Sequence, residues 1–600
     1  MNIFRLIGIV LLAFLGVSCS DFLSQVPDDR LTLDRVFKER NTVEDFLANI
    51  YSRLPREENR FVGDERGPWT GGSDEAEFVW SDYFQNSVNI GTWDATSGNV
   101  SQMWSNYYRG IRAATYFMDN VDQCGTCDPS RIIRYKAEAR ALRAVFYYNL
   151  MRIYGPVVVF GDEVLPPDAS LEEVQRPRTP FDEGVDFVVA ELDSAAMNLP
   201  ETPPNNDYYG RMTKPYLMGI KSNLLLIAAR PLFNGNTEYA DFTNPDGVHL
   251  VSQQYDENKW KRAADAAKEF IDQYVPGVFS LYRKNGPGGT FSPYLSCRDV
   301  VLDDWNSEII MAYPGASIDQ YVITPYHSGA ASENRGGGGL GATQTMVDAY
   351  FMANGKPISD PTSGYQETGF SNFQAPYDDQ ARSTFNQWVD REPRFYVGIT
   401  YNGSLWLNTQ PQPVITKTWY GGNSGREIGG NDYTPTGYIV RKHKSVASVG
   451  TNNTSIVLMR LAEIYLNYVE ALNEYNPGHP DILEYLNRIR NRAGIAEYGS
   501  AALSAPADKE AIREAIRHER QVEFAFEGKR YFDTRQWMIA EETAGGPIYG
   551  MDINAQDEAG FYNKVAFEER VFDKKHYLYP IPQDEININD QLVQNPGWSN

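Results

Sequence analysis

The sequence predicts a mainly α-helical protein built from paired, tetratricopeptide-like helices that carry long loops. Apolar residues recur at helical spacing over many segments, and small residues fall where two helices would touch. Segments with strand-like character are few, such as GPVVVF and SEIIMAY. A clean repeat of about 34 residues is absent, so the repeat assignment depends on the pairing of helices alone.

The first residues, MNIFRLIGIVLLAFLGVSC, have the pattern of an export signal that ends in a lipidated cysteine. Arg5 precedes an apolar run that is shorter than the about 20 residues a membrane-spanning helix needs. Small residues then lead to Cys19 as in a lipobox, although Gly16 stands where the usual leucine would be. We expect residues 1–18 to be removed and Cys19 to carry the acyl chains that hold the protein on a membrane. An ordinary signal with an incidental cysteine is the alternative.

Helical segments then follow one another along the chain, with loop-rich stretches at 55–100, 276–342 and 360–455. No later segment is apolar over the length of a membrane span. The predicted helices cover TVEDFLANIYSRL, MWSNYYRGIRAATYFMDNV, RYKAEARALRAVFYYNLMRIYG, KPYLMGIKSNLLLIAARPLF, KWKRAADAAKEFIDQY, PDILEYLNRIRNRAG and EAIRHERQVEFAFEGKRYFDTRQW. Because binding function usually lies on loops that a rigid scaffold holds, the three loop-rich stretches are where we look for a site.

The clearest helical pattern is SIVLMRLAEIYLNYVEALNEY. Its polar residues form one narrow stripe, made of Arg460, Glu463, Asn467 and Glu470, on an otherwise apolar cylinder. The pattern therefore predicts a helix that is largely buried between neighbours.

A second charged pattern lies in RHERQVEFAFEGKRYFDTRQW. Arg520, Glu523, Glu527 and Arg530 recur at helical spacing with opposite charges. This arrangement predicts a salt-bridge ladder along one helix, in preference to a catalytic cluster.

Composition narrows the classes of partner. The 600-residue chain has a formal net charge of -24 and a pI of about 4.8. Such a surface repels phosphate backbones, so we expect no nucleic-acid binding. The abundance of Tyr and Trp, with Gly and Pro spread throughout, is typical of a globular protein with many loops and an aromatic-lined surface.

Only three cysteines remain after Cys19, which excludes a disulfide scaffold. Cys124 and Cys127 form a C-x-x-C pair that has no second Cys/His pair at zinc spacing and no preceding thioredoxin-like strand. A local disulfide, two free thiols and a redox or metal role all stay open, with the disulfide favoured. Cys297 stands alone.

Signatures of catalysis and of cofactor binding are mostly absent. The six histidines are scattered and show no metal spacing, and no nucleophile elbow or phosphate-binding loop is present. Gly336, Gly338 and Gly341 match G-x-G-x-x-G, but no strand precedes them, so a flexible glycine loop is expected. Asp74 and Glu75, near aromatic residues, are the most suggestive carboxylate pair for a glycosidase, although adjacent side chains point apart.

Aromatic residues in the loops are the strongest indication of a ligand. Sugars are bound by flat rings that stack on their C–H faces, with polar side chains supplying hydrogen bonds. One group lies in the first loop-rich stretch and another precedes the glycine run, and a third, with Trp406, Trp419 and Tyr420, is less favoured. The predicted glycan-binding residues are Asp74, Trp80, Tyr83, Asn89, Trp93, Trp305, Tyr321 and Tyr326.

Taken together, several segments resemble the SusD/RagB family along nearly the whole chain. CSDFLSQVPDDRLTLDRVF resembles the family's opening, and EARALRAVFYYNLMRIYGPVVVF resembles its helix with an aromatic-Gly-x-Pro/Val ending. REPRF at 391–395 is similar to its D-P-R-like motif, with Glu392 where Asp is common. Four more segments match in order and spacing: MRLAEIYLNYVEALNE, LNRIRNRAGI, IRHERQVEFAFEGKRYFDTRQW and YLYPIPQDEININDQLVQNPGW.

This resemblance implies tetratricopeptide-like repeats packed against a loop-rich, mostly helical C-terminal part, with regions at 19–240 and 241–600. It implies a non-enzymatic lipoprotein of the outer membrane that faces outward, captures glycan on an arc of loop aromatics and delivers it to a SusC-like TonB-dependent transporter. The family's binding loops vary, so no binding residue transfers by motif. A surface glycoside hydrolase, a binder of peptide or other nutrients, and a scaffold without a ligand are the alternatives.

Overall fold

The computed structural model describes residues 33–55, 69–166, 168–314, 319–328, 335–407, 414–444 and 455–599. Helices dominate these residues, which confirms the predicted fold class. Cys19 and the signal segment 1–18 lie outside the described residues.

The helices concentrate before residue 275 and after residue 460, as the sequence predicts. Their bounds are α1 Leu33–Val36, α2 Arg40–Tyr51, α3 Phe84–Asn89, α4 Gly98–Asn120, α5 Pro129–Tyr154, α6 Leu171–Val174, α7 Phe181–Ala196, α8 Lys214–Ala229, α9 Glu257–Tyr274, α10 Pro293–Asp299, α11 Gln344–Ala349, α12 Pro393–Gly398, α13 Arg426–Gly429, α14 Leu461–Tyr475, α15 Pro480–Ala493, α16 Lys509–Glu523, α17 Arg530–Gln536, α18 Ala540–Thr543, α19 Glu558–Phe561 and α20 Gln583–Ile588.

The strands are short and pair two by two, all antiparallel. Two of the pairs join distant parts of the chain, since β1 pairs with β3 and β2 pairs with β8; the others are β4–β5, β6–β7 and β9–β10. The bounds are β1 Ala76–Phe78, β2 Ile309–Tyr313, β3 Leu340–Ala342, β4 Phe370–Phe373, β5 Arg382–Phe385, β6 Ile399–Thr400, β7 Ile439–Val440, β8 Ile456–Arg460, β9 Gly546–Met551 and β10 Lys564–Arg570.

The long helices form one packed array. Helix α4 packs on α5, α5 on α7, α7 on α8, α8 on α9, α9 on α14 and α14 on α15. Small residues permit the close approaches: a Cβ on Gly110 of α4 would lie 2.6 Å from the Phe146 ring of α5. This succession is the expected paired-helix arrangement. The boundary near residue 240 stays a prediction.

Helix α14 is buried along nearly its whole length, which confirms that part of the prediction. The predicted start of this helix is wrong. Residues 456–460 form β8, and the helix begins at Leu461. The polar stripe faces polar partners from other elements. Glu470 receives two hydrogen bonds from Arg230 at 2.8 and 2.7 Å, and Asn467 bonds to Asn223 at 2.6 Å. These buried pairs fix α14 against α8.

The predicted ladder along α16 is wrong. The helix ends at Glu523, and its charged residues pair with other segments. Arg520 contacts Asp533 at 2.8 Å, and Arg530 contacts Asp74 at 2.7 Å. Glu523 and Glu527 belong to a group of ten residues that we call the buried charge cluster. Its five carboxylates and five cations are Glu308, Glu392, Glu519, Glu523, Glu527, Arg394, Lys442, Arg460, Arg490 and Arg492. Charges can be buried here because each has partners of opposite sign.

Cys124 and Cys127 form a disulfide, as favoured from the sequence, and Cys297 is a free, buried thiol. The small loop that the disulfide closes contacts the start of α2. The backbone N–H of Arg40 donates to Thr126 Oγ1 at 2.8 Å, and that of Gly125 donates to the Lys38 carbonyl at 3.2 Å. Thr126 thus caps a helix whose own N-cap residue, Glu39, makes no side-chain cap.

Two hydrophobic clusters hold the fold. The larger one fills the helical array, and the second lies under the strands and loops of the C-terminal part. None of the helices within the described ranges combines the length and apolar character that a membrane crossing requires.

Candidate functional site

The site begins where β1 meets β3. This pairing sets the register Ala76–Ala342 to Phe78–Leu340, and the backbone N–H of Val79 donates to the Gly339 carbonyl at 2.9 Å. Trp80, the next residue, therefore lies beside the glycine run. A Cβ on Gly337 would lie 2.8 Å from the Trp80 ring and 2.5 Å from that of Tyr321. The predicted glycine loop is present at residues 336–339, but its glycines are buried and let the two rings approach the backbone.

Three partly exposed rings meet there, and we call Trp80, Tyr83 and Tyr321 the aromatic platform. The Trp80 and Tyr321 rings are nearly parallel, with an interplanar angle of 24° and centroids 5.9 Å apart. Tyr83 meets Trp80 edge-on at 5.7 Å. Trp80 and Tyr83 lie against the second hydrophobic cluster, so one side of each ring is supported by the core. The structure thus brings together three of the eight predicted binding residues.

Carboxylates surround the platform. Asp319 accepts a hydrogen bond from the Tyr321 backbone N–H at 2.9 Å. Burial and a hydrogen bond to Asp432 raise the pKa of Tyr321 to about 12. Burial, together with the charges of Asp319, Asp82 and Asp432, also raises the pKa of Tyr83. Both phenols are therefore neutral at physiological pH, and polar groups that can bond to hydroxyls lie beside flat rings.

Tyr326 lies further along the same segment. Arg335 Nη1 donates to its hydroxyl at 2.7 Å, and the guanidinium lies 4.7 Å from the ring centre. Part of that ring face is therefore covered by a cation. Its neighbour His327 is oriented by Thr416, whose Oγ1 is 3.0 Å from Nε2, and burial lowers the pKa of His327 to about 4.

Trp305 belongs to a different aromatic pair. Its ring stacks on Tyr209, with centroids 4.2 Å apart and an interplanar angle of 16°. Its backbone φ of 47° is in the left-handed region, which is uncommon for a bulky residue. Tyr209 belongs to the N-terminal half of the chain. Among the described residues, no ring contact joins Trp305 to the aromatic platform.

Three predicted binding residues are buried, and the expectation that they face a ligand is wrong. Trp93 is 2% exposed, and its ring contacts Tyr579 at 4.6 Å and Trp598 at 4.9 Å. Asn89 is 3% exposed and donates to the Gly71 carbonyl at 2.9 Å and to the Glu77 carboxylate at 2.5 Å. Asp74 is 2% exposed and is held by Arg530. In each case the side chain is used by tertiary contacts that short-range sequence does not reveal.

The carboxylate pair considered for hydrolysis is also internal. Glu75 accepts a hydrogen bond from the Phe526 backbone N–H at 3.0 Å, and burial raises its pKa to about 8. Neither Asp74 nor Glu75 reaches the surface on which a sugar would lie. Within the residues that the structure describes, no group of three or more His, Cys, Asp or Glu side chains is arranged to hold a metal ion.

Sequence reasoning missed the contribution of residues 429–433. Asp432 bonds to Tyr321, and a Cβ on Gly429 would lie 3.8 Å from the Tyr326 ring. Tyr433 lies at the edge of the second hydrophobic cluster, with the Arg426 guanidinium 5.5 Å from its ring centre. The one local signal that could have indicated a role for this segment is its aromatic–acidic pair, NDY at 431–433, in a glycine-rich loop.

Comparison with known proteins identifies the family. Residues 307–598 match the model described as the SusD family, and residues 21–223 match a SusD-like model described as starch-binding and associating with the outer membrane. The chain belongs to the SusD/RagB family. The predicted family membership is confirmed.

Relatives of similar length support this SusD-family membership. The chain is 22% identical to SusD-like protein P25 of Formosa agariphila, covering 100% of this chain and 99% of the relative. It is 23% identical to a SusD-like protein of Bacteroides ovatus, over 99% and 96%. The solved structure of BT4246 is 25% identical and superposes with a TM-score of 0.81, covering 94% of this chain and 100% of that one. A SusD-like protein of Bacteroides fragilis, 24% identical, gives 0.72 over 94% and 99%.

Proposed function

We propose that this SusD-family protein captures glycan on the aromatic platform at the outer-membrane surface and passes it to a SusC-like TonB-dependent transporter. The observation that carries the proposal is the pair of nearly parallel, partly exposed rings of Trp80 and Tyr321, with Tyr83 beside them. Flat rings bind the C–H faces of sugars, and a few convergent polar groups then fix the orientation.

Each part of the platform has a role in this proposal. Trp80 and Tyr321 supply the flat surface, Tyr83 forms its edge, and Asp319 and Asp432 accept hydrogen bonds from sugar hydroxyls. Tyr326, bonded to Arg335, extends the polar border. Trp305 is kept as a separate candidate for glycan contact, on the surface it shares with Tyr209. No catalytic residue is assigned.

Related structures support glycan as the ligand. One similar chain is a laminarin-binding SusD-like protein, and another is surface glycan-binding protein A of Bacteroides fluxus, with TM-scores of 0.56 and 0.58. At 19% and 17% identity they establish a shared fold, and laminarin, the ligand in the first name, is the first polysaccharide to try here.

Affinity electrophoresis tests the binding site directly. Purified protein is run through gels containing laminarin, starch or other polysaccharides, and retention is compared for wild type, Tyr83→Ala and Tyr321→Ala. Each truncation should weaken binding about fivefold or more, because an aromatic contact contributes about 1 kcal/mol or more. Tyr255→Ala is the matched control, since Tyr255 is an exposed ring outside the platform.

The outcomes separate the alternatives. Retention that is unchanged in both platform variants would reject the platform. Binding to a peptide panel with no glycan retained would change the ligand class, whereas turnover of a retained polysaccharide would indicate a hydrolase.

The anchor and the partner need tests of their own. We propose that Cys19 is acylated; mass spectrometry of the mature N-terminus should find a lipidated cysteine, and Cys19→Ala should release the protein from membranes. The transporter should copurify with tagged wild type after mild detergent extraction. Recovery of the anchored protein without any such partner would argue against delivery.

A further inference from the structure

Arg441 is a buried cation with no carboxylate partner among the described residues. It is 2% exposed, and its terminal guanidinium nitrogens, Nη1 and Nη2, are shielded from solvent and have no hydrogen bond within the part of the chain that the structure describes. The guanidinium lies 4.0 Å from the ring centre of Tyr377 and 5.9 Å from that of Trp406. Aromatic faces attract the positive charge, but they leave the N–H donors unsatisfied.

The acidic residues next to this position are already neutralised. Lys442, the following residue, pairs with Glu527 at 2.7 Å and so belongs to the buried charge cluster. That cluster contains five carboxylates and five cations, so it has no spare negative charge for Arg441. The Arg441 guanidinium therefore lies outside an otherwise balanced network.

A second buried basic residue, Lys444, lies in the same turn. The backbone N–H of Lys444 donates to the Arg441 carbonyl at 3.0 Å, which closes a tight turn over residues 441–444. Lys444 is also 2% exposed, and its Nζ donates to the Gln320 amide oxygen at 3.1 Å. Burial lowers the pKa of Lys444 to about 7.

We propose that Arg441, which lies against the rings of Tyr377 and Trp406, binds a small monovalent anion such as chloride. A buried guanidinium is stable when its charge and its N–H groups are both matched, and its two terminal NH₂ groups form a fork suited to one anion. This site is distinct from the glycan platform and does not depend on its function.

The anion would lie beneath the segment that presents the platform. Trp406 meets the His327 ring edge-on at 6.3 Å, and His327 follows Tyr326. Gln320, the partner of Lys444, precedes Tyr321. Occupancy should therefore stabilise the base of residues 319–328.

Thermal unfolding of the mature protein tests the site. The unfolding midpoint is measured at constant ionic strength while gluconate is replaced by chloride. Wild type should gain a saturable rise in midpoint, because a ligand of the folded state stabilises it by mass action. Arg441→Met should lose the chloride-specific part, and Arg262→Met, at an exposed ion pair, should keep it. An equal chloride response in Arg441→Met would overturn the proposal.

A crystallographic measurement on wild type covers the case in which Arg441→Met does not fold. Crystals grown in bromide should show an anomalous peak in contact with Nη1 and Nη2 of Arg441. An ordered water with no anomalous signal at that position would overturn the proposal.

Discussion

Arg530 holds Asp74 in a two-pronged ion pair across 456 positions of the chain. Its Nε lies 2.9 Å from Oδ1 and its Nη2 lies 2.7 Å from Oδ2. Both residues are buried, and Asp74 lies two residues before β1, which leads to Trp80. Asp74, which the sequence suggested as a ligand contact, therefore fixes β1, the strand that leads to the platform.

Removing one partner of this pair should be costly. Asp74→Ala leaves the Arg530 guanidinium buried without its counter-charge, so the free energy of unfolding should fall by about 3–5 kcal/mol. Urea denaturation measures the change. Asp186→Ala breaks the exposed Arg262–Asp186 pair and should cost at most about 1 kcal/mol. Equal small effects of the two substitutions would contradict a structural role for Asp74.

Filling the space beside the platform should disturb binding without removing a ring. Gly337→Ala places a methyl group against Trp80 and Tyr321, and relieving that contact should cost about 1–3 kcal/mol and shift both rings. Glycan retention in affinity gels should fall while the protein stays folded by circular dichroism. Gly277→Ala is the control, because nothing lies within 4 Å of a Cβ there. Full retention in Gly337→Ala would show that ring positions do not matter.

Trp93 should behave as a core residue. Trp93→Ala removes a ring packed against His576, Tyr579 and Trp598, and the free energy of unfolding should fall by about 3–5 kcal/mol. Glycan retention at a temperature where the variant stays folded should match wild type. Weakened retention in a variant of wild-type stability would return Trp93 to the binding surface.

Glu75 should make stability depend on pH. Burial raises its pKa to about 8 in the folded protein, whereas the unfolded value is near 4.5. Between these values the folded state binds the extra proton, so the free energy of unfolding should fall as pH rises, by up to about 1.4 kcal/mol per unit. Glu75→Gln should remove this part of the slope, measured by urea denaturation from pH 5 to pH 8.

Two buried histidines also make stability depend on pH, and their contribution must be subtracted from that of Glu75. Burial lowers the pKa of His327 and His576 to about 4, so both residues make stability rise with pH between about 4 and 6.5. The difference in the free energy of unfolding between wild type and Glu75→Gln at each pH isolates the contribution of the Glu75 carboxyl. Glu172→Gln, at an exposed position, should leave the pH dependence unchanged. A slope identical in wild type and Glu75→Gln would mean that Glu75 is ionised in the fold.

Helical periodicity was sufficient to place the scaffold, because a helix is stabilised by contacts between near neighbours in sequence. The polar stripe of α14 shows the limit of this reasoning. Periodicity indicated that the stripe was buried, but its partners, such as Arg230 and Asn223, come from a helix more than 200 residues away. Similarly, Glu523 and Glu527 had the spacing of a helical ladder, yet their partners lie on other elements.

The binding site was only partly predictable for the same reason. Trp80 and Trp93 occur in similar loop sequences, and nothing local distinguishes the ring that faces outward from the ring that packs against Trp598. Exposure is decided by which distant segments cover each ring. The glycine run was visible in the sequence, but its purpose, close approach to Trp80, depends on the pairing of β1 with β3.

This long-range pairing limits how the protein can be dissected. The strand before Trp80 is held by residues 340–342, by Arg530 and by Arg570, whose Nη1 donates to the Ser73 carbonyl at 2.6 Å. A fragment that ends before residue 340 would contain Trp80, Tyr83 and Tyr321 but would lack β3, Arg530 and Arg570. The ligand surface consequently becomes complete only when nearly the last residues have joined the fold, so expression of either half alone should yield protein without it.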